Sequence, residues 1–300
     1  MDVITLDAGD ARVTLLPALG GAVARYWIGH GATTWECLRP TLAPALAGGD
    51  PYETAAFALV PYSNRIRNGR FRFRGTEVAL PLNRPPERHS IHGHGWQMAW
   101  TPTEVRASEA RLEYQHAAGA WPWAYRAIQR VSLTPSRLTV ELAIVNESDR
   151  AMPAGLGWHP YFSRTPRTTL TADVGAMWRT DAEMLPTALG PPPDLARGLS
   201  ADAVALDNVF VGWRHRAEIR WPERRARIVM TAEAPLDCLV VYAPPGRNFL
   251  CVEPVSHVTD AFNLAERGRT DTGMRVLEPG EALRASVTLT PDAWIDPAGS

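Results

Sequence analysis

Four short segments carry side chains whose type and spacing could do chemistry. In His89-Ser90-Ile91-His92-Gly93-His94-Gly95-Trp96 three histidines fall within six residues. His-x-His on a strand would put both imidazoles on one face and begin a metal site. No carboxylate follows nearby, however, since Gly95, Trp96, Gln97 and Met98 come next. Glycines on either side of His94 fit a backbone that passes close to a ligand, and Trp96 offers an apolar ring face of the kind that packs on a sugar. In Gly155-Leu156-Gly157-Trp158-His159-Pro160-Tyr161-Phe162, His159 sits in an apolar setting where desolvation or a neighbouring carboxylate would tune its pKa. Pro160 biases His159 toward an extended backbone and limits where the imidazole can point. Glu253 closes the apolar run 249–253 just before Pro254, at what should be a strand end and a rim. A carboxylate there must be paired, hydrogen-bonded or functional, because burying an unpaired charge is costly. Asn64 and Arg65 precede Asn68-Gly69, a strong hairpin signal, and an arginine so placed can aim a planar fork of donors at hydroxyl groups. Each segment alone also has an ordinary reading: a solvated arginine, a strand-end glutamate, a histidine bonded to backbone.

The elements that would position these residues read as strands. Short runs of β-branched, aliphatic and aromatic residues recur about every ten positions between Gly, Pro, Asn and Asp, the pattern of a sandwich or barrel. Strands are expected at 12–16, 22–28, 70–74, 111–115, 127–133, 138–145, 226–231, 238–242 and 285–289. In 138–145 a period of two puts Leu138, Val140, Leu142 and Ile144 on one face. With 26 prolines and 23 glycines, long helices would be broken repeatedly. Brief helices are expected at 51–58 and 259–265. Pro191-Pro192-Pro193 reads as a surface loop, because strand-like segments resume beyond it and the candidate residues lie on both sides. The expectation is a single domain over residues 1–300.

Composition narrows the function. Lys and Arg number 31 against 32 Asp and Glu, and the chain has no long run of one sign. A main role in nucleic-acid binding would need a basic face. Apart from Arg65, the arginines at 67, 70, 72, 74, 224, 225 and 227 read as solvated strand faces. Cys37, Cys238 and Cys251 are odd in number, lack a CxxC and lie among apolar residues, so they read as buried structural thiols in a reducing compartment. The N-terminus lacks a basic segment followed by an apolar core, and no apolar stretch approaches the ~18 residues of a membrane span. A cytoplasmic protein without membrane association is expected. Asn146-Glu147-Ser148 is then a chance sequon.

In order and spacing the four segments resemble the aldose 1-epimerase, or galactose mutarotase-like, family. The strings are Asn64-Arg65-Ile66 followed by Gly69-Arg70-Phe71, Ile91-His92-Gly93, Trp158-His159-Pro160-Tyr161-Phe162, and Val252-Glu253-Pro254 leading to Asp260-Ala261-Phe262-Asn263. The resemblance implies an all-β fold, a large antiparallel β-sandwich with few short helices. It implies interconversion of the α and β anomers of an aldose by ring opening and reclosure. Glu253 is similar to the general base acting on the C1 hydroxyl, His159 to the general acid at the ring oxygen, and His92 to the second active-site histidine. Asn64 and Arg65 resemble a substrate-contacting pair. Asp207, in Leu206-Asp207-Asn208, resembles an aspartate that binds sugar hydroxyls. The one departure is His94-Gly95-Trp96, where many members have Gly-Gly after the first histidine. His94 is open as an added sugar contact, a metal ligand or a surface residue, and Trp96 is expected to contact the sugar.

Moving one proton from O1 and one onto O5 needs an acid and a base but neither metal nor organic cofactor, so none is expected. The expected partner is a small sugar, an aldose such as a hexose, bound by a monomer or homodimer. Three other readings stand: a non-catalytic sugar-binding or regulatory protein of the same fold, a hexose-6-phosphate mutarotase, and a metal enzyme built on His92 and His94.

Overall fold

The protein is described by a computed structural model covering residues 3–29, 34–43, 46, 49–202 and 204–293. Most of these residues lie in antiparallel strands, which gather into an eleven-stranded and a nine-stranded sheet. Alternating burial shows why. In Tyr125–Thr134 the residues Tyr125, Ala127, Val131 and Leu133 turn inward, while Arg126 and Arg130 face out. Its neighbour Arg137–Asn146 buries Leu138, Val140, Leu142 and Ile144 as the period-two reading requires. Their inward faces join Leu6, Val13 and Leu15 of the other sheet in one contiguous apolar core, the arrangement of a β-sandwich. Gln129 is the polar exception on that face, and it donates to the Gly21 carbonyl of the opposing sheet at 2.7 Å.

The larger sheet positions the chemistry. At its centre Ala56–Leu59 pairs with Gly157–Ser163, which pairs with Phe249–Val255, then Cys238–Ala243, then Leu206–Val211. Ala56–Leu59, Gly157–Ser163 and Phe249–Val255 are covered on both faces and read as nearly continuous apolar runs.

All nine expected strands are present, most of them longer by one to three residues at an end. Of the two expected helices, 259–265 overlaps the observed Ala261–Glu266, whereas 51–58 does not hold. Pro51–Glu53 makes a single 3₁₀ turn, and Ala56–Leu59 is an all-buried strand. A place beside His159 in the sheet overrides the weak local helix preference. Asn68-Gly69 does form a turn, with φ of 51° and 64°, but it does not close a hairpin. Arg65–Ile66 pairs with Ser90–Ile91 instead, and Arg70–Phe73 turns back through Arg74-Gly75 to pair with Thr76–Ala79. Both residues of that loop have positive φ, as a two-residue hairpin connection demands.

The three cysteines are free and buried. Asn146 of the sequon is fully buried, and its amide donates to the Arg150 and Leu277 carbonyls. No helix among the described residues is long and apolar enough to cross a membrane.

Candidate active site

The His159 and Glu253 strands run antiparallel, and the pairs Gly157↔Val255 and Tyr161↔Cys251 bracket the two residues. Directly opposed residues project from the same face, so this register alone brings the imidazole to the carboxylate. Nε2 of His159 lies 3.3 Å from Oε1 of Glu253. Both side chains are almost wholly buried, and Nδ1 of His159 and Oε2 of Glu253 are buried with no hydrogen-bond partner among the described residues. The imidazole stacks against Phe57 at 4.6 Å and Tyr161 at 4.7 Å between ring centroids.

His92 arrives from a loop rather than from the sheet. Its φ of 61° is followed by Gly93 at 69°, and Gly93 lies so close to Val60 that a Cβ would sit 2.0 Å from the Val60 carbonyl oxygen. Only glycine fits that approach, which swings the His92 ring to 5.2 Å from that of His159. Nδ1 of His92 accepts from the Asn64 backbone N–H at 3.0 Å, so a neutral His92 carries its proton on Nε2. Asn64 itself sits at φ 57°, a conformation that asparagine tolerates better than most residues. Its side-chain oxygen accepts from the Arg65 N–H at 2.8 Å. Arg65 reaches back to Glu87 at 3.0 Å and to Asp207 at 3.2 Å.

These groups line a cleft of about 330 Å³, near the lower end of small-molecule sites and of a size for one monosaccharide. Burial shapes its protonation. Desolvation holds the Glu253 carboxyl well above its ordinary range, and Asp207 adds to this while Arg65 opposes it. Desolvation pushes His159 down to about 3, and the Arg39 charge acts in the same direction. His92 is driven well below its usual value by burial, then by His159 and Arg65. The pair therefore favours one proton, held on the carboxyl, and a neutral imidazole. The alternative tautomer, carboxylate and imidazolium, differs only by transfer of that proton between atoms 3.3 Å apart.

His159, Cys251 and Glu253 offer three ligand atoms within 4.8 Å of one another, a group able to hold a metal. A thiolate would be needed for strong binding, and burial together with Glu253 holds the Cys251 thiol well above its ordinary pKa.

The sequence profile of the family described as aldose 1-epimerase matches residues 2–290. The chain belongs to the aldose 1-epimerase family. The uncharacterized protein YphB of Escherichia coli (strain K12) is 29% identical over 304 residues, covering 96% of this chain and 98% of YphB. A solved Escherichia coli K12 structure, provisionally named an aldose 1-epimerase, matches with a TM-score of 0.88 at 26% identity over 98% of this chain and 99% of that one. A galactose mutarotase-like protein from Clostridium acetobutylicum shares the fold, with a TM-score of 0.83 at 18% identity over 97% and 95% of the two chains.

In this aldose 1-epimerase family member the cleft brings together six of the residues singled out in the sequence: Asn64, Arg65, His92, His159, Asp207 and Glu253. Two others lie elsewhere. Trp96 packs in the core behind the cleft, stacked on Phe57 at 5.6 Å, with its indole N–H on the Ile91 and Gly93 carbonyls. Its ring face is used by the protein and is not offered to a sugar. His94 turns away, its Nε2 hydrogen-bonded to the Tyr125 hydroxyl at 2.8 Å and its ring 4.2 Å from His116. The shared face needed for a His92–His94 metal site is absent because the chain around Gly93 is a turn and not a strand.

Several cleft residues carried no sequence signal of their own. Arg39, Tyr52, Glu53, Arg84 and Arg247 come from loops and a 3₁₀ turn, where no strand periodicity announces a facing direction. Tyr161 could have been named, since it lies two residues from His159 on the same face of one strand. Behind the cleft, His257 accepts the Ser63 N–H at 3.1 Å and Asp260 accepts the Arg67 N–H at 2.9 Å, holding the Asn64–Arg65 segment in place.

Proposed function

We propose that the protein is a mutarotase that interconverts the anomers of an aldopyranose. The observation that carries this reading is the 3.3 Å contact between Nε2 of His159 and Oε1 of Glu253 inside a monosaccharide-sized cleft. Glu253, as the carboxylate, takes the proton from the C1 hydroxyl. His159, as the imidazolium, gives its proton to the ring oxygen, and the C1–O5 bond breaks to leave an open-chain aldehyde. Rotation about C1–C2 presents the other carbonyl face, and the same groups acting in reverse close the ring. Because burial keeps the pair's proton on the carboxyl, the active tautomer arises by transfer to His159 as sugar hydroxyls hydrogen-bond to Glu253.

The remaining roles follow from donor geometry. His92, neutral with its proton on Nε2, donates toward the ring oxygen and stabilises charge that develops there. Arg65 and Asn64, with Asp207, present donors and acceptors to ring hydroxyls. An acid and a base of this kind contribute about 10²–10⁴-fold each.

Anomer exchange followed by polarimetry or exchange NMR, with α-glucose and α-galactose first and other free and phosphorylated aldoses next, tests the reading. Rates above buffer for at least one sugar are expected. Sugar affinity without any turnover would instead mark a binding or regulatory protein.

A further inference from the structure

Arg39 is the cleft arginine without an acidic partner in a buried position. It is only 9% exposed, its Nη2 donates to the Tyr52 carbonyl at 2.8 Å and the Thr54 carbonyl at 2.7 Å, and its Nε is buried without a partner. Among the described residues no carboxylate comes within 4.0 Å of it, and Nη1 makes no hydrogen bond. The other cationic residues of the cleft differ. Arg65 is held by Glu87 and Asp207, and Arg84 by Asp50 at 3.1 Å. Among the described residues Arg247, on the exposed rim, and the cleft carboxylate Glu53 have no ion-pair partner within 4.0 Å either. A buried guanidinium with no counter-charge is unfavourable unless something supplies the anion.

Position indicates which part of a sugar would do so. The Arg39 guanidinium lies 3.9 Å over the Tyr161 ring, and Tyr161 stacks on His159 at 4.7 Å. Arg39 is thus one ring removed from the group that would protonate O5. In an aldopyranose the atom bonded to O5 on the side away from C1 is C5, and its substituent extends from there.

We propose that the cleft selects an aldopyranose bearing an anionic group on its C5 substituent, bound by the guanidinium of Arg39. This rests on the mutarotase reading of the same cleft. The shared chemistry is an oxyanion able to take the free N–H of Arg39, either the carboxylate of a hexuronate or the phosphate of a hexose 6-phosphate. The second is the larger dianion and would reach Arg247 at the rim as well.

The test compares exchange-NMR rates, after subtraction of the buffer rate, for D-glucuronate, D-galacturonate, D-glucose 6-phosphate, D-glucose and D-galactose. At least one acidic sugar is expected to exceed both neutral hexoses in kcat/KM by tenfold or more. Which arm responds separates carboxylate from phosphate. In Arg39→Gln the acidic-to-neutral ratio should fall toward one, mainly through KM, and Arg39→Lys should restore part of it. A purely structural arginine would lower all substrates together and leave the ratio unchanged. Neutral hexoses turned over as well as or better than every acidic sugar, or a ratio that Arg39→Gln does not move, would overturn the proposal even if the variants prove poorly folded in the first case. If no sugar exchanges faster than buffer, the mutarotase reading fails, and calorimetric titration decides the remainder. Preferential binding of D-glucuronate or D-glucose 6-phosphate over D-glucose supports anion selection, and equal or absent binding ends it.

Discussion

Arginine and glutamate meet in two regions of this molecule with opposite consequences. On the outward face of the nine-stranded sheet they form cross-strand ladders, such as Arg126 with Glu113 at 3.4 Å and Arg130 with Glu141 at 3.9 Å. Water reaches both, and each strand keeps its period of two with apolar side chains beneath. In the cleft of the eleven-stranded sheet, Arg65 is braced by Glu87 and Asp207 with all three side chains mostly buried, beside a carboxylate with a free buried oxygen. The residue types are the same. What separates a solubilising surface from a site is whether the protein has taken the charges out of water, where they interact strongly and are costly to leave unpaired.

Four measurements would break or sharpen this comparison. The largest effect is expected for Glu253→Gln, which keeps the shape of the side chain and removes its proton chemistry. The anomerisation rate should fall by about 10²–10⁴-fold, with stability equal or raised because a buried ionisable group is gone. A rate within tenfold of wild type would remove Glu253 from the proton-transfer pair.

Next, Arg65→Met leaves Glu87 and Asp207 without the cation between them. Chemical denaturation should show a loss of about 3 kcal/mol, the range for breaking a mostly buried pair. A loss under about 1 kcal/mol would put Arg65 in the same class as the outer ladder.

The third effect is pH-dependent. His159, at about 3, and His257, at about 4, are neutral in the folded protein, because burial opposes their charging. The unfolded chain takes up protons near pH 6.5 and the folded chain does not, so stability is present above that pH and is lost as pH falls from about 6.5 toward 4. Each such histidine removes up to about 1.4 kcal/mol per pH unit. Glu253, held above its ordinary pKa, acts in the opposite sense, since its folded form keeps a proton that the unfolded form releases. Tm should therefore decline through the acid window in wild type, and more shallowly in His257→Gln. Parallel Tm profiles for the two proteins would contradict the assignment.

The smallest effect is expected on the ladder. Arg126→Ala should cost no more than about 1 kcal/mol and leave anomerisation unchanged. A larger loss would mean that the outer charges act as a network.

Much of the fold could be read along the chain because each strand announces itself locally. Leu138, Val140, Leu142 and Ile144 must share a face whatever they pack on. The lining of the cleft was legible at His159, Glu253, His92, Asn64, Arg65 and Asp207, either because a polar residue interrupts an apolar run or through the family resemblance. Trp96 misled because an aromatic ring fills a core as readily as it faces a sugar, and His94 because of a turn. Gly93 reverses the chain between His92 and His94, and a sequence shows that a glycine permits such a turn without showing that the turn is taken. Arg39 gave no local warning at all, since its neighbours Leu38 and Pro40 fit any loop.

Local periodicity, then, determined the β architecture, because a two-residue period is a property of the chain itself. The tertiary structure alone decided which charges lose their water. The register of the His159 and Glu253 strands, nearly a hundred residues apart, made neighbours of two groups, and the same assembly left Arg39 buried against Tyr161 with no carboxylate among the described residues in ion-pair range. Desolvation depends on what surrounds a side chain in space, and no window of sequence contains that.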